Sequence, residues 1–204
     1  MADRAGDYIV GLFSAEDELL ASLREEADRT GLPPIAISSD EGRLLQVLLT
    51  SIGARRVLEV GTLGGYSAIC MARALPPGGK LLSIEIEEKH ATFARKYITR
   101  AGLADRVEVR VGRALDVLPA LDGERFDAMF LDADKEPLPT YFEWALRLVR
   151  PGGLIIGDNA YFFGRLLEDS DGARAMRGFH EQIATSCDSV CIPTPDGLVL
   201  GIVK

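Results

Sequence analysis

The chain has 204 residues, a formal net charge of −8 at pH 7, 47% hydrophobic residues and 26% charged residues. This length supports one sizeable α/β domain with a hydrophobic core. The acidic balance argues against nucleic acid or an anionic membrane surface as the main partner. We expect neither a signal peptide nor a membrane span, because no apolar run has the required length and flanks.

The three cysteines are Cys70, Cys187 and Cys191, and their spacing does not match a metal-binding pattern. This usage favours free thiols in a reducing compartment, so the predicted location is the cytoplasm. Cys187 and Cys191 are expected to be buried strand residues.

Apolar positions between residues 7 and 29 recur at intervals of three and four, which predicts one or two amphipathic helices. Gly31-Leu32-Pro33-Pro34 then breaks the pattern. Ser38-Ser39-Asp40-Glu41 is typical of an N-cap with an acidic first turn, and a helix is predicted over 40–52. We expect the helices of residues 1–53 to cover the site or to form a dimer surface.

After residue 53, short hydrophobic strands alternate with helical segments. This alternation predicts a mostly parallel seven-stranded sheet with helices on both faces. The sheet and its helices would form a Rossmann-like core over 54–204, within a single domain of residues 1–204. Thr194-Pro195-Asp196-Gly197 indicates a hairpin, so the last strand should be antiparallel. The predicted strands are 56–60, 81–85, 107–111, 126–131, 154–156, 189–192 and 198–203, and the predicted helices are 65–75, 87–101, 116–121, 138–150 and 171–186.

The first core strand leads into a glycine-rich turn. Glu59 lies within the strand, and Gly61 and Gly64-Gly65 follow it. This spacing differs from the G-x-G-x-x-G of dinucleotide-binding turns, and a carboxylate is a better neighbour for an amine than for a pyrophosphate. Glu85 ends the next strand, where an acidic side chain can accept ribose hydroxyls, and Ser67 begins a helix, where an anion is favoured. The pattern favours a nucleoside with an amino-acid tail.

Oxygen-bearing side chains follow two later strands. Asp132 comes after one strand, and Asp158 and Asn159 come after the next. Adjacent parallel strands end at the same crevice, and these hard oxygen ligands suit Mg²⁺, Mn²⁺ or Ca²⁺. The alternative is a helix cap at Asp132 and a simple turn at Asp158-Asn159. Lys135 could reach the same site, where a nearby cation would lower its pKa and make it a candidate general base; the alternative is a solvated surface lysine.

Together these motifs resemble the class I methyltransferases that use S-adenosylmethionine, and more narrowly the cation-dependent O-methyltransferases of the caffeoyl-CoA and catechol type. The resemblance covers about residue 35 to the C-terminus, and its LDADK and GDN elements are more specific than the glycine turn. The carrying elements are VLEVGTLGGYSAICM at 57–71, IEI at 84–86, VGRA at 111–114, LDADK at 131–135 and GDN at 157–159.

The resemblance implies roles for these positions. Glu59 and the Gly61 turn would lie by the methionine part of the cofactor, with Ser67 at its carboxylate and Glu85 at the ribose. Lys135 would take a proton from a vicinal hydroxy-aromatic acceptor, and a homodimer is expected. The implied cofactor residues are Glu59, Gly61, Thr62, Leu63, Ser67, Glu85, Ile86, Arg113, Ala114 and Asp132; the implied catalytic residues are Lys135 and Asp132; the implied metal ligands are Asp132, Asp158 and Asn159.

The sequence departs from the family pattern near the acceptor. Pro137-Leu138 replaces a frequent Asn-Tyr, and Phe162-Phe163 precedes Gly164 where Trp and Arg are common. These changes make the pocket more apolar, and no long insertion follows residue 159 to hold a CoA group. A small free phenol, such as a catechol or a dihydroxycinnamate, is therefore the expected acceptor. The aromatic run 161–163 would line the acceptor site or pack a loop, and Asp134 would orient Lys135, contact the cofactor or cap a helix.

Three other functions remain possible at this point. The first is a methyltransferase of the same fold with another acceptor or without a metal. The second is a nucleotide-dependent oxidoreductase, which the absent G-x-G-x-x-G and the presence of Glu59 disfavour. The third is a non-catalytic ligand-binding protein.

Overall fold

The computed structural model describes residues 4–204. The α-helices in this range are α1 (Arg4–Phe13), α2 (Glu18–Arg29), α3 (Ser39–Ser51), α4 (Tyr66–Ala74), α5 (Glu88–Arg100), α6 (Ala114–Val117), α7 (Leu138–Leu148) and α8 (Asp171–Ser186), with a 3-10 helix over Leu118–Leu121. The strands are β1 (Arg56–Val60), β2 (Lys80–Glu85), β3 (Val107–Val111), β4 (Phe126–Leu131), β5 (Val149–Asp158), β6 (Cys187–Ile192) and β7 (Leu198–Val203).

These strands form one seven-stranded sheet in the order β3-β2-β1-β4-β5-β7-β6. Strands β1 to β5 are parallel, and β7 runs antiparallel to both β5 and β6. The predicted sheet with an antiparallel last strand is confirmed. The strand order reverses beside β1, which has β2 on one side and β4 on the other, and ligands of open α/β sheets bind at such a point.

The sheet is buried on both faces, because successive strand residues point to opposite sides. Val57 contributes to the core cluster that includes helices α3, α4 and α5, whereas its neighbour Leu58 contributes to the cluster with α7 and α8. In the second cluster, Phe142 of α7 meets Phe179 of α8 edge to face, with ring centroids 5.6 Å apart. Burial on both faces explains why the central strands are almost continuously hydrophobic.

Strand β5 is longer than predicted. Residues 151–153, which separate the predicted helix 138–150 from the predicted strand 154–156, lie within it, and α7 ends at Leu148 instead of residue 150. Val149 pairs with Phe126, and the register shifts before the next pairs. A Cβ at Gly153 would lie 2.6 Å from the Asp127 carbonyl oxygen, so this glycine serves a close strand contact and not a turn.

Smaller differences affect two other elements. The predicted short helix over 116–121 is α6 followed by the 3-10 helix, which contains Pro119. Strand β6 begins at Cys187, two residues earlier than expected. Cys187 is buried as predicted, but Cys191 is exposed, because β6 lies at the sheet edge and only its first residue is fully covered.

The N-terminal segment forms two helices, and Arg24 of α2 joins them to the core. The Arg24 Nε lies 2.5 Å from Glu16 Oε1, and its Nη2 donates to the Ile37 carbonyl at 2.5 Å. The guanidinium also lies 4.0 Å from the ring centroid of Tyr66, the first residue of α4. Residues before α3 are thereby held beside the glycine turn. Among the helices within residues 4–204, none has the length and hydrophobicity needed to cross a bilayer.

Candidate active site

The glycine turn brings β1 and β4 into close contact. Gly61 has a φ of 102°, and a Cβ there would lie 1.9 Å from the Asp132 carbonyl oxygen. The Gly61 N–H donates to the Ile84 carbonyl at 2.9 Å, and the Asp132 N–H donates to the Val60 carbonyl at 2.9 Å. Only glycine fits this position, because both the backbone conformation and the space exclude a side chain.

Glu59 lies beneath the turn with no exposed surface. The hydroxyls of Ser67 and Ser83 each donate to one of its carboxyl oxygens, and the Thr62 hydroxyl hydrogen-bonds to that of Ser83. Burial raises the pKa of Glu59 to about 8, although the two serine hydrogen bonds oppose this and nearby acidic groups add to it. An approaching amine would favour the ionised form, so Glu59 suits a cationic ligand group.

Glu85 organises the same turn from the end of β2. Its Oε2 accepts hydrogen bonds from the N–H groups of Thr62 at 3.1 Å and Leu63 at 2.7 Å. Its Oε1 accepts from the Glu87 N–H at 2.9 Å and lies 3.5 Å from His90 Nδ1. The carboxylate therefore fixes the turn while it also lines the neighbouring cavity.

The acidic acceptor-side residues are brought together as expected. Leu131 of β4 pairs with Gly157 of β5, so Asp132 and Asp158 follow at the same edge of the sheet. The Asn159 N–H donates to Asp158 Oδ1 at 2.7 Å. Lys135 is 11% exposed, and its Nζ lies 3.6 Å from Asp132 Oδ1. Lys135 is thus at the site and is not a solvated surface lysine.

Both aspartates are destabilised as anions. Burial, followed by the charge of Asp132, raises the pKa of Asp158 to about 7, although the Asn159 N–H opposes this. Burial also raises the pKa of Asp132, and the charge of Lys135 opposes that change. Two carboxylates that repel each other beside an amide oxygen form a donor set that fits a hard divalent cation. Within residues 4–204, no three His, Cys, Asp or Glu side chains converge on a metal position.

A cavity of about 800 Å³ joins the two groups of residues. This volume is within the range of small-molecule sites. The predicted residues Glu59, Thr62, Ser67 and Asp158 are buried and are not among the residues that line it. The predicted residues that line it are Gly61, Leu63, Glu85, Ile86, Arg113, Ala114, Asp132, Lys135 and Asn159.

Sequence reasoning missed two contributors. Glu41 is only 6% exposed, and its Oε2 accepts from the Ser38 N–H at 2.9 Å and the Ser38 hydroxyl at 2.7 Å. Its charge also helps to raise the pKa of Asp132 and Asp158. The Ser38-x-x-Glu41 spacing predicts a capping box, but not that this helix end faces the aspartates.

The second contributor is Tyr141, whose hydroxyl donates to Asp134 Oδ1 at 2.8 Å. Asp134 lines the cavity. Helix α7 has no side-chain cap at its N-terminus, so Asp134 is not the cap of that helix.

The aromatic run is divided between the two expected uses. Phe163 is 56% exposed and lines the cavity, whereas Phe162 is buried in the core cluster with α7 and α8 and packs the loop against Gly172 of α8. Tyr161 is exposed, and its hydroxyl contacts Cys191. Phe163 is therefore the member of this run that faces the cavity.

The sequence model of a family described as O-methyltransferase matches residues 12–203. The chain belongs to this family. A protein named catechol O-methyltransferase from Niastella koreensis is 43% identical over 210 residues, which cover 97% of this chain and 95% of that protein. Caffeoyl-CoA O-methyltransferase 2 from Zea mays is 33% identical over 217 residues, which cover 98% of this chain and 82% of that protein.

A solved structure gives the same result. The O-methyltransferase from Bacillus cereus in complex with SAH superposes with a TM-score of 0.93 at 40% identity, over 98% of this chain and 97% of that one. This chain is an S-adenosylmethionine-dependent O-methyltransferase of the catechol and caffeoyl-CoA type with the class I fold. The predicted family, fold and methyl donor are confirmed.

Proposed function

We propose that this O-methyltransferase transfers a methyl group from S-adenosylmethionine to one hydroxyl of a small vicinal hydroxy-aromatic molecule, with the help of a divalent cation. The observation that carries the proposal is the group formed by Asp132, Asp158 and Asn159. It lies at the ends of adjacent strands with Lys135 3.6 Å from Asp132. The same cavity reaches the glycine turn and Glu85.

The cofactor residues follow from the buried network. Glu59 suits the methionine amine, the first turn of α4 at Ser67 suits its carboxylate, and Glu85 suits the ribose. Thr62 and Leu63 would lie along the methionine part, and Ile86, Arg113 and Ala114 along the adenine. Their contribution is to hold the methyl group in one orientation before reaction.

The cation would be Mg²⁺, Mn²⁺ or Ca²⁺, held by Asp132, Asp158 and Asn159. When bound, it supplies a positive charge that lowers the pKa of an acceptor hydroxyl from its ordinary value near ~10. Lys135 would accept the proton from that hydroxyl. The acceptor oxygen then forms a bond to the methyl carbon as the carbon–sulfur bond breaks, and S-adenosylhomocysteine leaves.

The rim of the cavity favours a small free phenol over a CoA thioester. Pro33, Ile35, Pro137 and Phe163 give the lining an apolar acceptor side. Arg113 and Lys135 are its only Arg or Lys side chains among the described residues, whereas a CoA group carries several phosphate charges. The catechol named for the Niastella koreensis protein fits this rim better than the caffeoyl-CoA named for the Zea mays protein.

We propose that residues 1–204 form a single domain. Within it, we propose two roles for residues 1–53. Pro33 and Ile35 cap the cavity, while α1 forms a homodimer surface, because it buries none of its residues and exposes Tyr8, Leu12 and Phe13. Sedimentation of the chain as a monomer at micromolar concentration would contradict the dimer. The free thiols fit the proposed cytoplasmic location.

Methyl transfer from S-adenosylmethionine to a panel of catechols, with Mg²⁺ or with EDTA, tests the function. We expect one or both monomethyl ethers with Mg²⁺ and at least about a hundredfold lower rate with EDTA. Activity that survives complete chelation would instead support a metal-independent enzyme of the same fold. Absence of product from every vicinal diol would support a different acceptor.

A further inference from the structure

The turn between β6 and β7 is hydrogen-bonded to the loop that follows β5. The Ala160 N–H donates to the Gly197 carbonyl at 2.9 Å, and the Tyr161 N–H donates to the Asp196 carbonyl at 2.8 Å. Leu198 of β7 pairs with Asp158 of β5, so these bonds continue the antiparallel ladder beyond the end of β5. The turn therefore lies directly beside the acceptor side of the cavity.

The loop that it contacts has an unusual backbone. Asn159, Phe162 and Phe163 have φ angles of 59°, 50° and 54°. Residues other than glycine rarely adopt this left-handed region, and they remain there only when surrounding contacts hold them. Two of these residues, Asn159 and Phe163, line the cavity. Their orientation there thus depends on groups outside the loop.

The Asp196 side chain supplies one such contact. Its Oδ1 accepts a hydrogen bond from the Phe163 N–H at 2.9 Å. Its Oδ2 is buried and has no hydrogen-bond partner within residues 4–204. The carboxylate consequently serves one backbone group, and its removal would release Phe163 without breaking another side-chain bond.

The turn approaches the loop as closely as its residues allow. Gly197 has a φ of 76°, and a Cβ there would lie 3.0 Å from the Ala160 Cβ and 3.1 Å from the Tyr161 ring. This contact leaves no room for the loop to move toward the turn. The position of the loop is thus fixed by the Asp196 carboxylate, which bonds to its backbone, and by Gly197, which packs against its side chains.

We propose that Asp196 is a positioning residue that selects the acceptor hydroxyl, because it orients Phe163 against the bound aromatic ring. The inference rests on the proposed function. A substituted catechol has two non-equivalent hydroxyls, and the orientation of its ring in the site decides which of them meets the methyl donor. Release of Phe163 would allow both ring orientations.

The test compares Asp196→Ala, Asp196→Asn and the wild type with 3,4-dihydroxybenzoate, S-adenosylmethionine and saturating Mg²⁺. For D196A we expect about a tenfold higher KM for the catechol and at least about a threefold change in the ratio of the two monomethyl products. D196N retains an oxygen that accepts the Phe163 N–H, so its product ratio should stay within about twofold of the wild type. Asp188→Asn, on the exposed face of the same hairpin, is the matched control.

Two further measurements separate the possible failures. Calorimetry with S-adenosylhomocysteine should give affinities within about twofold for all folded variants. If D196A does not fold, Asp196→Glu takes its place in the test, because the longer side chain displaces the oxygen that accepts the Phe163 N–H. Hydrogen–deuterium exchange over residues 159–166 should be faster in D196A without any need for turnover. An unchanged product ratio and KM in D196A would overturn the inference. Absence of catechol methylation by the wild type would overturn the proposed function and, with it, the selection of the acceptor hydroxyl by Asp196. Hydrogen–deuterium exchange would still decide whether Asp196 holds the loop in place.

Discussion

The two halves of the active-site cavity are held in place in different ways. On the cofactor side, Glu59 and Glu85 accept hydrogen bonds from neighbouring strands and from the turn itself, within consecutive β-α-β units. On the acceptor side, a loop with left-handed Asn159 and Phe163 depends on Asp196, more than thirty residues later in the chain. The first half is fixed by its own sequence neighbourhood, and the second by a distant turn.

This difference has an energetic meaning. The cofactor half is buried and connected to the sheet, so a change there should alter folding and cofactor binding together. The acceptor loop carries an exposed aromatic ring and is held by contacts to a distant turn, so a change there should alter catalysis while the fold persists. Four substitutions test this contrast, in order of decreasing expected effect.

Gly61→Ala should have the largest effect. The new Cβ would lie 1.9 Å from the Asp132 carbonyl oxygen, so β1 and β4 must separate. We expect more than about 3 kcal/mol of destabilisation and loss of S-adenosylhomocysteine binding. Gly53→Ala is the matched control, because Gly53 also has a positive φ, of 60°, but open space around it; it should cost only about 1–2 kcal/mol. Equal unfolding midpoints for the two variants in denaturant would contradict this account.

Lys135→Met should separate chemistry from binding. The substitution keeps an unbranched side chain and removes the amine that would accept the proton. We expect kcat to fall by about 10²–10⁴, with cofactor affinity within about twofold of the wild type. Lys89→Met, at an exposed lysine whose ammonium donates to the Thr30 carbonyl, should leave kcat unchanged. A normal kcat for Lys135→Met at saturating acceptor would remove Lys135 as the base.

Asp158→Asn should weaken metal binding and leave the cofactor half intact. Asparagine keeps an oxygen for the Asn159 N–H, which donates at 2.7 Å, but it removes a negative charge from the proposed ligand set. Titration with Mn²⁺ should show more than about a tenfold loss of affinity. The affinity for S-adenosylhomocysteine should not change. Loss of cofactor binding with normal Mn²⁺ binding would reverse the proposed assignment of the two halves.

Glu59→Gln should change the pH dependence of stability. Burial raises the pKa of Glu59 to about 8 in the folded chain, above its ordinary unfolded value near ~4.3. The native state therefore holds this proton more tightly, so the stabilisation is complete below the unfolded pKa and is lost as pH rises towards 8. Without cofactor, the wild type should lose about 1 kcal/mol more than E59Q between pH 7 and pH 8. Parallel stability curves from denaturant titrations would show that Glu59 does not titrate in this range.

The sequence predicts most of the fold and the cofactor half, because the signals are local. Hydrophobic alternation defines the strands, and the Gly61 turn and Glu85 lie close to one another along the chain. Adjacent strand ends also predict correctly that Asp132, Asp158 and Lys135 meet. What the sequence does not reveal depends on pairing between distant segments, as in the cases of Glu41 and Asp196. The extension of β5 was missed for a similar reason, since Gly153 has the appearance of a turn residue until its contact with Asp127 is known.

The contact between Gly61 and Asp132 also sets a distance. Val60 and Leu131 are paired residues of β1 and β4, so the cofactor turn and the first acceptor-side carboxylate leave the sheet at the same level. A slip of one residue between these strands would move one relative to the other by about 3.3 Å, comparable with the separation of reacting atoms in a near-attack geometry. In the proposed reaction, the register of β1 and β4 therefore sets the distance between the methyl donor and the acceptor oxygen. Substitutions in the 159–164 loop can then change which acceptor binds without changing this distance.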